Sequence, residues 1–242
     1  MSEEKELFNE EFEVIQKKNI VAVFAHPDDE LTAIGTLAKH SMRGDNVYLV
    51  WTSFGEKTSS FPDKDSEEVK RLRIEHTKYV AKTIGVKKIF FLGIEDTNVQ
   101  ANRKNGLRLA KIFAETKPDA VITWDLDNHH PDHRNTAKLV IDAITYARLP
   151  KLMNPLPAHR KRYPVFHHYN PNSPLPIIEI DIESTFEIKK QITKFYADVY
   201  QWKKWEEWIE ITSKKFEIGL GPIYIEKFNQ NIVKPKPREF LV

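Results

Sequence analysis

Residues 20–25, IVAVFA, are apolar without alternation and lead straight into His26-Pro27-Asp28-Asp29-Glu30. A strand with one wet face alternates apolar and polar residues, so an unbroken apolar run marks a strand covered on both faces, as in a parallel sheet. Parallel strands need crossover helices, and the chain supplies them. Leu31, Ile34, Leu37, Ala38 and Met42 recur at three- and four-residue spacing up to Gly44, which is the stripe and stop of an amphipathic helix. The unit then repeats. Strands are predicted at 46–51, 88–92 and 120–124. Helices are predicted along Val69, Leu72, His76, Tyr79, Val80 and Ile84, around Leu107, Ala110 and Phe113, and along Ala137, Val140, Ile141 and Ile144.

Four βα units in succession predict an α/β fold: a Rossmann-like, doubly wound, mostly parallel sheet with helices on both faces. At 242 residues, 40% apolar and 30% charged, the chain is expected to fold as one domain, with a core over about 18–148. Beyond it, residues 149–176 carry seven prolines among Tyr163, Phe166, His167, His168 and Tyr169, which predicts a long irregular loop over the site. Residues 176–182 alternate like a strand. Residues 184–213 read as one long or broken helix with Phe195, Val199, Trp202, Trp205 and Ile209 on a stripe, forming a C-terminal helical extension. The basic, proline-punctuated end, 234–242, is expected to wrap the surface or meet a neighbouring subunit.

Sheets of this kind bind ligands beyond the carboxyl ends of their strands, so the loops after Ala25 and Trp124 share a rim. Both are rich in metal-binding side chains: His26-Pro27-Asp28-Asp29-Glu30 in the first, Asn128-His129-His130-Pro131-Asp132-His133 in the second. Three adjacent carboxylates repel one another unless a cation or a helix N-terminus compensates. Taken alone, the first cluster also reads as an acidic helix start, with Asp28 or Asp29 as N-cap and His26 a hydrogen-bonded loop histidine. The second cluster, at the corresponding junction of the fourth unit, favours a metal. The chain has no cysteine, so a divalent ion takes imidazole and carboxylate, and His26, Asp29 and His133 supply the three ligands of an open catalytic site. Adjacent side chains leave a tight turn in different directions, so one aspartate can bind metal while its neighbour faces water. An exchange of roles between Asp28 and Asp29 stays open at this point.

The motif AHPDDE after a first strand, with HPDH about a hundred residues on, resembles the PIG-L/LmbE-like zinc N-deacetylases. Arg73, Ile84-Gly85-Val86, Phe91-Leu92-Gly93 and Asp96 are similar to that family's linking pattern, and the likeness is good over about 20–145. It implies one deacetylase domain over 1–242 that removes the acetyl group of an amino sugar or N-acetylglucosaminyl conjugate, with one Zn2+ per chain. By the same resemblance His26, Asp29 and His133 match the zinc ligands and Asp28 the general base. His130 matches the oxyanion-stabilising histidine with Asp132 as its orienting partner, and Arg73 a substrate-contacting arginine. Glu30 is expected to support the site from behind or to start the helix. Phe195-Tyr196 and Tyr200-Gln201 depart from the histidine-containing motif that many members carry there.

Other readings of the same residues make different demands. A nucleotide-binding module needs a phosphate cradle, and neither GxGxxG nor GxxxxGK[ST] is present. A structural metal site needs a fourth ligand such as His129. A non-haem iron enzyme shares the two-histidine, one-carboxylate set but has no use for Asp28. Bases exceed acids by only two, which gives no reason to expect a nucleic-acid partner. No segment reaches the roughly 20 apolar residues of a membrane span, and the acidic start differs from a signal peptide. The expected setting is cytoplasmic, the expected partner a small N-acetylated sugar, and the aromatic helix offers a surface for a homo-oligomer. His129, His167, His168 and the tryptophans at 202, 205 and 208 are expected mainly in loops and packing.

Overall fold

The computed structural model describes residues 16–217 and 221–230. β1 (Asn19–Phe24), β2 (Asn46–Ser53), β3 (Lys88–Ile94), β4 (Ala120–Thr123) and β5 (Val165–His168) are parallel and ordered β3-β2-β1-β4-β5. Successive β1 residues explain the unbroken apolar run. Ile20, Ala22 and Phe24 enter one core cluster, with Leu49 and Trp51 of β2. Val21 and Val23 enter the other, with Tyr48 and Val50. Helices α1 (Ile34–Met42) and α2 (Ser66–Ile84) cover the first face, and α3 (Arg103–Thr116), α4 (Pro131–Ala147) and the short α5 (Pro150–Met153) the second.

Local signals fix the helix that carries Arg73. Asp65 and Glu68 form a reciprocal capping box at the start of α2, with Glu68 N to Asp65 Oδ1 at 2.8 Å and Asp65 N to Glu68 Oε2 at 3.0 Å. Gly85 ends it at φ 73°, a left-handed conformation that glycine adopts without steric cost.

The C-terminal third differs from expectation. The proline-rich stretch is not irregular throughout: it contains α5 and β5, because Val165 and His167 turn inward and extend the sheet beside β4. The alternating segment is β6 (Ile177–Asp181). The helical extension is broken into α6 (Phe186–Tyr200) and α7 (Trp205–Ser213), with Gln201 left-handed at the break. Two further strands, β7 (Lys214–Glu217) and β8 (Gly221–Gln230), follow. β8 runs antiparallel between β5 and β6 and completes an eight-stranded, mostly parallel sheet. β8 is tied to the core through Glu226, whose carboxylate accepts the Gly35 and Thr36 amides at the start of α1 and the Lys189 ammonium of α6, all buried. α6 packs on α1 and α2 and joins the first core cluster through Ile192 and Tyr196. Trp202 and Trp208 meet edge to face, and Trp205 and Trp208 pack on Ile182, Phe186 and Ile209, so these tryptophans serve packing. No described helix is long and apolar enough to cross a membrane. The basic end at 234–242 lies outside the described residues.

Candidate active site

The turns after β1 and before α4 meet at the carboxyl rim of the sheet, and their side chains interlock. His26 Nδ1 lies 3.3 Å from His133 Nε2, and His133 Nε2 lies 3.4 Å from Asp29 Oδ1. Asp29 is the more constrained of the adjacent aspartates. Its Oδ2 accepts the Ala25 amide at 3.0 Å, the His26 amide at 2.9 Å and the Trp124 indole N–H at 2.8 Å, which leaves Oδ1 turned toward the imidazoles. Burial opposes the charge on Asp29, but His133 and His26 beside it hold its carboxyl well below the usual range.

His26 faces carboxylates on its other side as well. Its Nε2 lies 3.1 Å from Asp96 Oδ1 and 3.3 Å from Asp132 Oδ2, so that nitrogen carries the proton and Nδ1 is free to bind. Burial disfavours the imidazolium, but Asp132, Asp96 and Asp29 raise its pKa to about 10, the mark of a pocket that attracts positive charge.

Among the described residues two groups can hold a cation: His26, Asp29 and His133, and His26, Asp96 and Asp132, each with its ligand atoms within 4.8 Å of one another. The donor chemistry favours the first. Asp132 already accepts the Thr97 and Val99 amides, and Asp96 those of Thr97 and Lys57. These two carboxylates are occupied as hydrogen-bond acceptors that orient an imidazole, the usual arrangement behind a metal-bound histidine. Two imidazoles and one carboxylate oxygen remain, a set that suits a divalent ion.

Asp28 stands beside this group in a different environment. It adopts φ 105°, and its Oδ2 lies 3.3 Å from Arg73 Nη1. The side chain is 29% exposed. Burial pushes its carboxyl up to about 6, and Asp29 adds to this, against the pull of Arg73 and His26. Arg73 also donates to the Pro27 carbonyl and lies almost wholly buried beneath the turn. Gly55 permits that approach: a Cβ there would come within 2.9 Å of Arg73 Nη1.

Two expectations need correction. Asp132 does not orient His130 through its carboxylate, which is spent on His26, Thr97 and Val99. Instead the Asp132 main-chain amide donates to His130 Nδ1, because His130 caps α4 just ahead of Pro131. This leaves Nε2 as the protonated nitrogen. Burial and the neighbouring His133 and His26 lower the His130 pKa from its ordinary value. Arg73, for its part, contacts the Pro27-Asp28 turn from the inside and is not placed on the open face. His130 does join the cluster, 4.4 Å from His133 and 5.1 Å from His26 between ring centres.

The remaining histidines divide. His129 is exposed, and its carbonyl, not its ring, engages Arg134. His167 is buried, with Nδ1 2.9 Å from the Trp124 carbonyl. His168 packs against the Trp124 ring at 4.8 Å, and burial drives its pKa down to about 4. Trp124, Asp96, Tyr196 and Tyr200 belong to the site's surroundings without having been singled out as site residues. The signals in the sequence were the position of Trp124 at the carboxyl end of a strand, the place of Asp96 in the family's linking pattern, and the departure at Tyr196 and Tyr200 from the family's histidine-containing motif. An apolar cavity of about 320 Å³ lined by Ile20, Ile122, Phe166, Ile180 and Phe228 lies at the opposite, amino end of β1 and β4 and contains none of these groups.

Comparison with known proteins settles the family. The family described as PIG-L: GlcNAc-PI de-N-acetylase matches residues 21–144, which include both turns and Arg73. This chain belongs to the PIG-L family. It is accordingly an enzyme of the N-deacetylase class. The PIG-L match stops short of β5 and everything after it, but likeness to individual relatives continues further. A diacetylchitobiose deacetylase from Thermococcus kodakarensis is 28% identical over 211 residues, spanning 83% of this chain and 76% of the relative. The solved N,N'-diacetylchitobiose deacetylase from Pyrococcus horikoshii superposes with a TM-score of 0.76 at 26% identity, over 88% of this chain and 83% of that one. A 4-carboxy-2-hydroxymuconate hydratase from Pseudomonas putida shares the fold at 22% identity and a TM-score of 0.68, over 93% of this chain and 100% of that one. The fold alone therefore does not specify the reaction, and the site residues must.

Proposed function

We propose that this PIG-L member is a zinc-dependent hydrolase that removes the N-acetyl group of an amino sugar or N-acetylglucosaminyl conjugate, releasing acetate and a free amine. The observation that carries the reading is the division of labour within one turn. Asp29 offers one oxygen toward His26 and His133, while its neighbour Asp28 is held apart by Arg73 with part of its carboxyl open. The substrate class is supported by the two relatives named as diacetylchitobiose deacetylases.

His26, Asp29 and His133 are the residues that would hold one zinc per chain. Bound there, zinc supplies a Lewis acid and lowers the pKa of water to about 7. Asp28 takes the proton of the attacking water and returns it to the nitrogen as the C–N bond breaks, so acetate leaves with the new oxygen and the sugar keeps its amine. His130 offers Nε2–H to the oxygen that gains negative charge, a contribution of about 3 kcal/mol for one well-placed donor. Asp96 and Asp132 keep the His26 ring fixed, and Arg73 keeps Asp28 from swinging onto the Asp29 position. A proton-accepting carboxylate next to the ligand set favours hydrolysis over the oxygen chemistry of a two-histidine, one-carboxylate iron site.

The test is an amine-release screen of zinc-loaded protein on N,N'-diacetylchitobiose and a panel of N-acetylglucosaminyl conjugates. Release of amine and acetate in equal amounts, abolished by EDTA and restored by zinc, is expected. A fully zinc-loaded protein that releases no amine from any of them contradicts the proposal.

A further inference from the structure

Tyr196 and Tyr200 lie one turn apart on α6, outside the segment that the PIG-L family match covers. Both reach the catalytic turn. The Tyr196 hydroxyl donates to Glu30 Oε1 at 2.6 Å, and both side chains are fully buried. The other Glu30 oxygen accepts the Trp51 indole N–H at 3.2 Å and the Asp28 main-chain N–H at 2.9 Å. Four residues further along α6, the Tyr200 ring packs under the Arg73 guanidinium, 5.5 Å from its carbon, and Arg73 donates to Asp28 Oδ2.

Asp28 is thus gripped at two points, main chain and carboxylate, and both grips lead to α6. Its φ of 105° is a sparsely populated conformation that costs energy unless surrounding contacts hold it. The Glu30 acceptor, two residues ahead, is the group that bonds the Asp28 amide in that conformation. A fully buried carboxylate is an expensive way to fill core space, since an apolar side chain of similar size avoids the desolvation. What leucine at position 30 could not do is fix the Asp28 amide.

We propose that Glu30 is a positioning residue for Asp28, that Tyr196 fixes Glu30, and that α6 thereby sets the alignment of the base. The inference rests on the assignment of Asp28 as base under the proposed function. Its structural half, the dependence of the Asp28 conformation on Glu30, stands apart from that assignment.

The experiment compares wild type, Glu30→Leu, Glu30→Gln and Tyr196→Phe by crystal structure, zinc content and steady-state kinetics on whichever N-acetyl sugar the wild type turns over. In Glu30→Leu, Asp28 is expected to leave the positive-φ region. Its kcat should fall about 100-fold with KM and zinc content unchanged, the scale expected when a reacting group is displaced by about 1 Å. Glu30→Gln keeps an oxygen that can accept the Asp28 amide and is expected to recover to within about 10-fold of wild type, as replacement of one acceptor by another preserves the hydrogen bond. Tyr196→Phe should lower kcat by several-fold with the same KM, and it carries the test if Glu30→Leu yields no folded protein. The inference is overturned by a Glu30→Leu structure in which Asp28 keeps a φ near its present value. It is equally overturned if kcat falls only in proportion to lost folded protein or lost zinc, with Glu30→Gln no better than Glu30→Leu. A wild type with no deacetylase activity refutes the proposed function, and the Asp28 conformation in the variants still decides whether Glu30 positions it.

Discussion

The indole of Trp124 lies flat against the imidazole of His133, with ring centres 3.9 Å apart and planes 5° from parallel. The same indole donates its N–H to Asp29 Oδ2. One side chain at the end of β4 therefore orients two of the three candidate ligands, one by stacking and one by a hydrogen bond. Trp124→Phe keeps a ring for the stack but removes the donor. We expect zinc affinity to fall by about 10- to 100-fold, the usual cost of losing a partner that orients a ligand. Competition titration against a chromophoric chelator measures it, and an unchanged affinity would show that Asp29 needs no such support.

Asp28 and His133 should separate cleanly. Asp28→Asn is expected to bind one zinc and lose amine release by about 10²- to 10⁴-fold, the range for removal of a general base. His133→Ala should fail to retain zinc at all. Metal analysis after gel filtration, paired with turnover, distinguishes them. Retained zinc in His133→Ala removes that residue from the ligand set.

Arg73 is expected to act on the turn, not on substrate. Arg73→Met should lower kcat more than it raises KM and should destabilise the fold by about 2 kcal/mol, the order for loss of hydrogen bonds to a charged group. The ion-pair part of that figure is modest, since Asp28 is partly open to solvent. Urea denaturation and a Michaelis analysis check the two halves. A KM effect with unchanged kcat would return Arg73 to the substrate-binding role that the family resemblance implies.

At the opposite end of the sheet, Asp45 gives a pH signature of its own. Burial opposes its charge, but hydrogen bonds from His40, the Lys18 amide and Arg43 hold its carboxyl below the ordinary value. A depressed folded pKa contributes stability that is fully present above the unfolded value of about 3.9 and is lost as pH falls through the folded one. The stability gap between wild type and Asp45→Asn should therefore shrink as pH falls below about 3.9. Denaturant unfolding at a series of pH values reads it, and a gap that persists unchanged into strong acid would rule out the linkage.

The parallel half of this protein is legible in its sequence because burial on both faces leaves a visible mark. The run at 20–25 has no polar residue to confuse with an edge, and that at 120–124 has only Thr123. β8 carries no such mark: GPIYIEKFNQ mixes charge with apolar residues, and its buried Glu226 makes sense only once Lys189 and the start of α1 are seen beside it. The site divides the same way. His26, Asp28, Asp29, His130 and His133 stand out because metal-binding types are crowded at two strand ends. The partners of Asp132, Arg73 and Glu30 do not, since Thr97, Pro27 and Tyr196 are chosen by tertiary approach. Asp132 lies two residues from His130 in sequence, yet its carboxylate meets His26, 106 residues away.

Both candidate cation groups share His26, one through Nδ1 and the other through Nε2. Anomalous diffraction at the zinc edge from crystals of the zinc-loaded protein separates them. One peak is expected within bonding distance, about 2 Å, of His26 Nδ1, an Asp29 oxygen and His133 Nε2. A peak between His26 Nε2, Asp96 and Asp132, or no peak at either face, contradicts it.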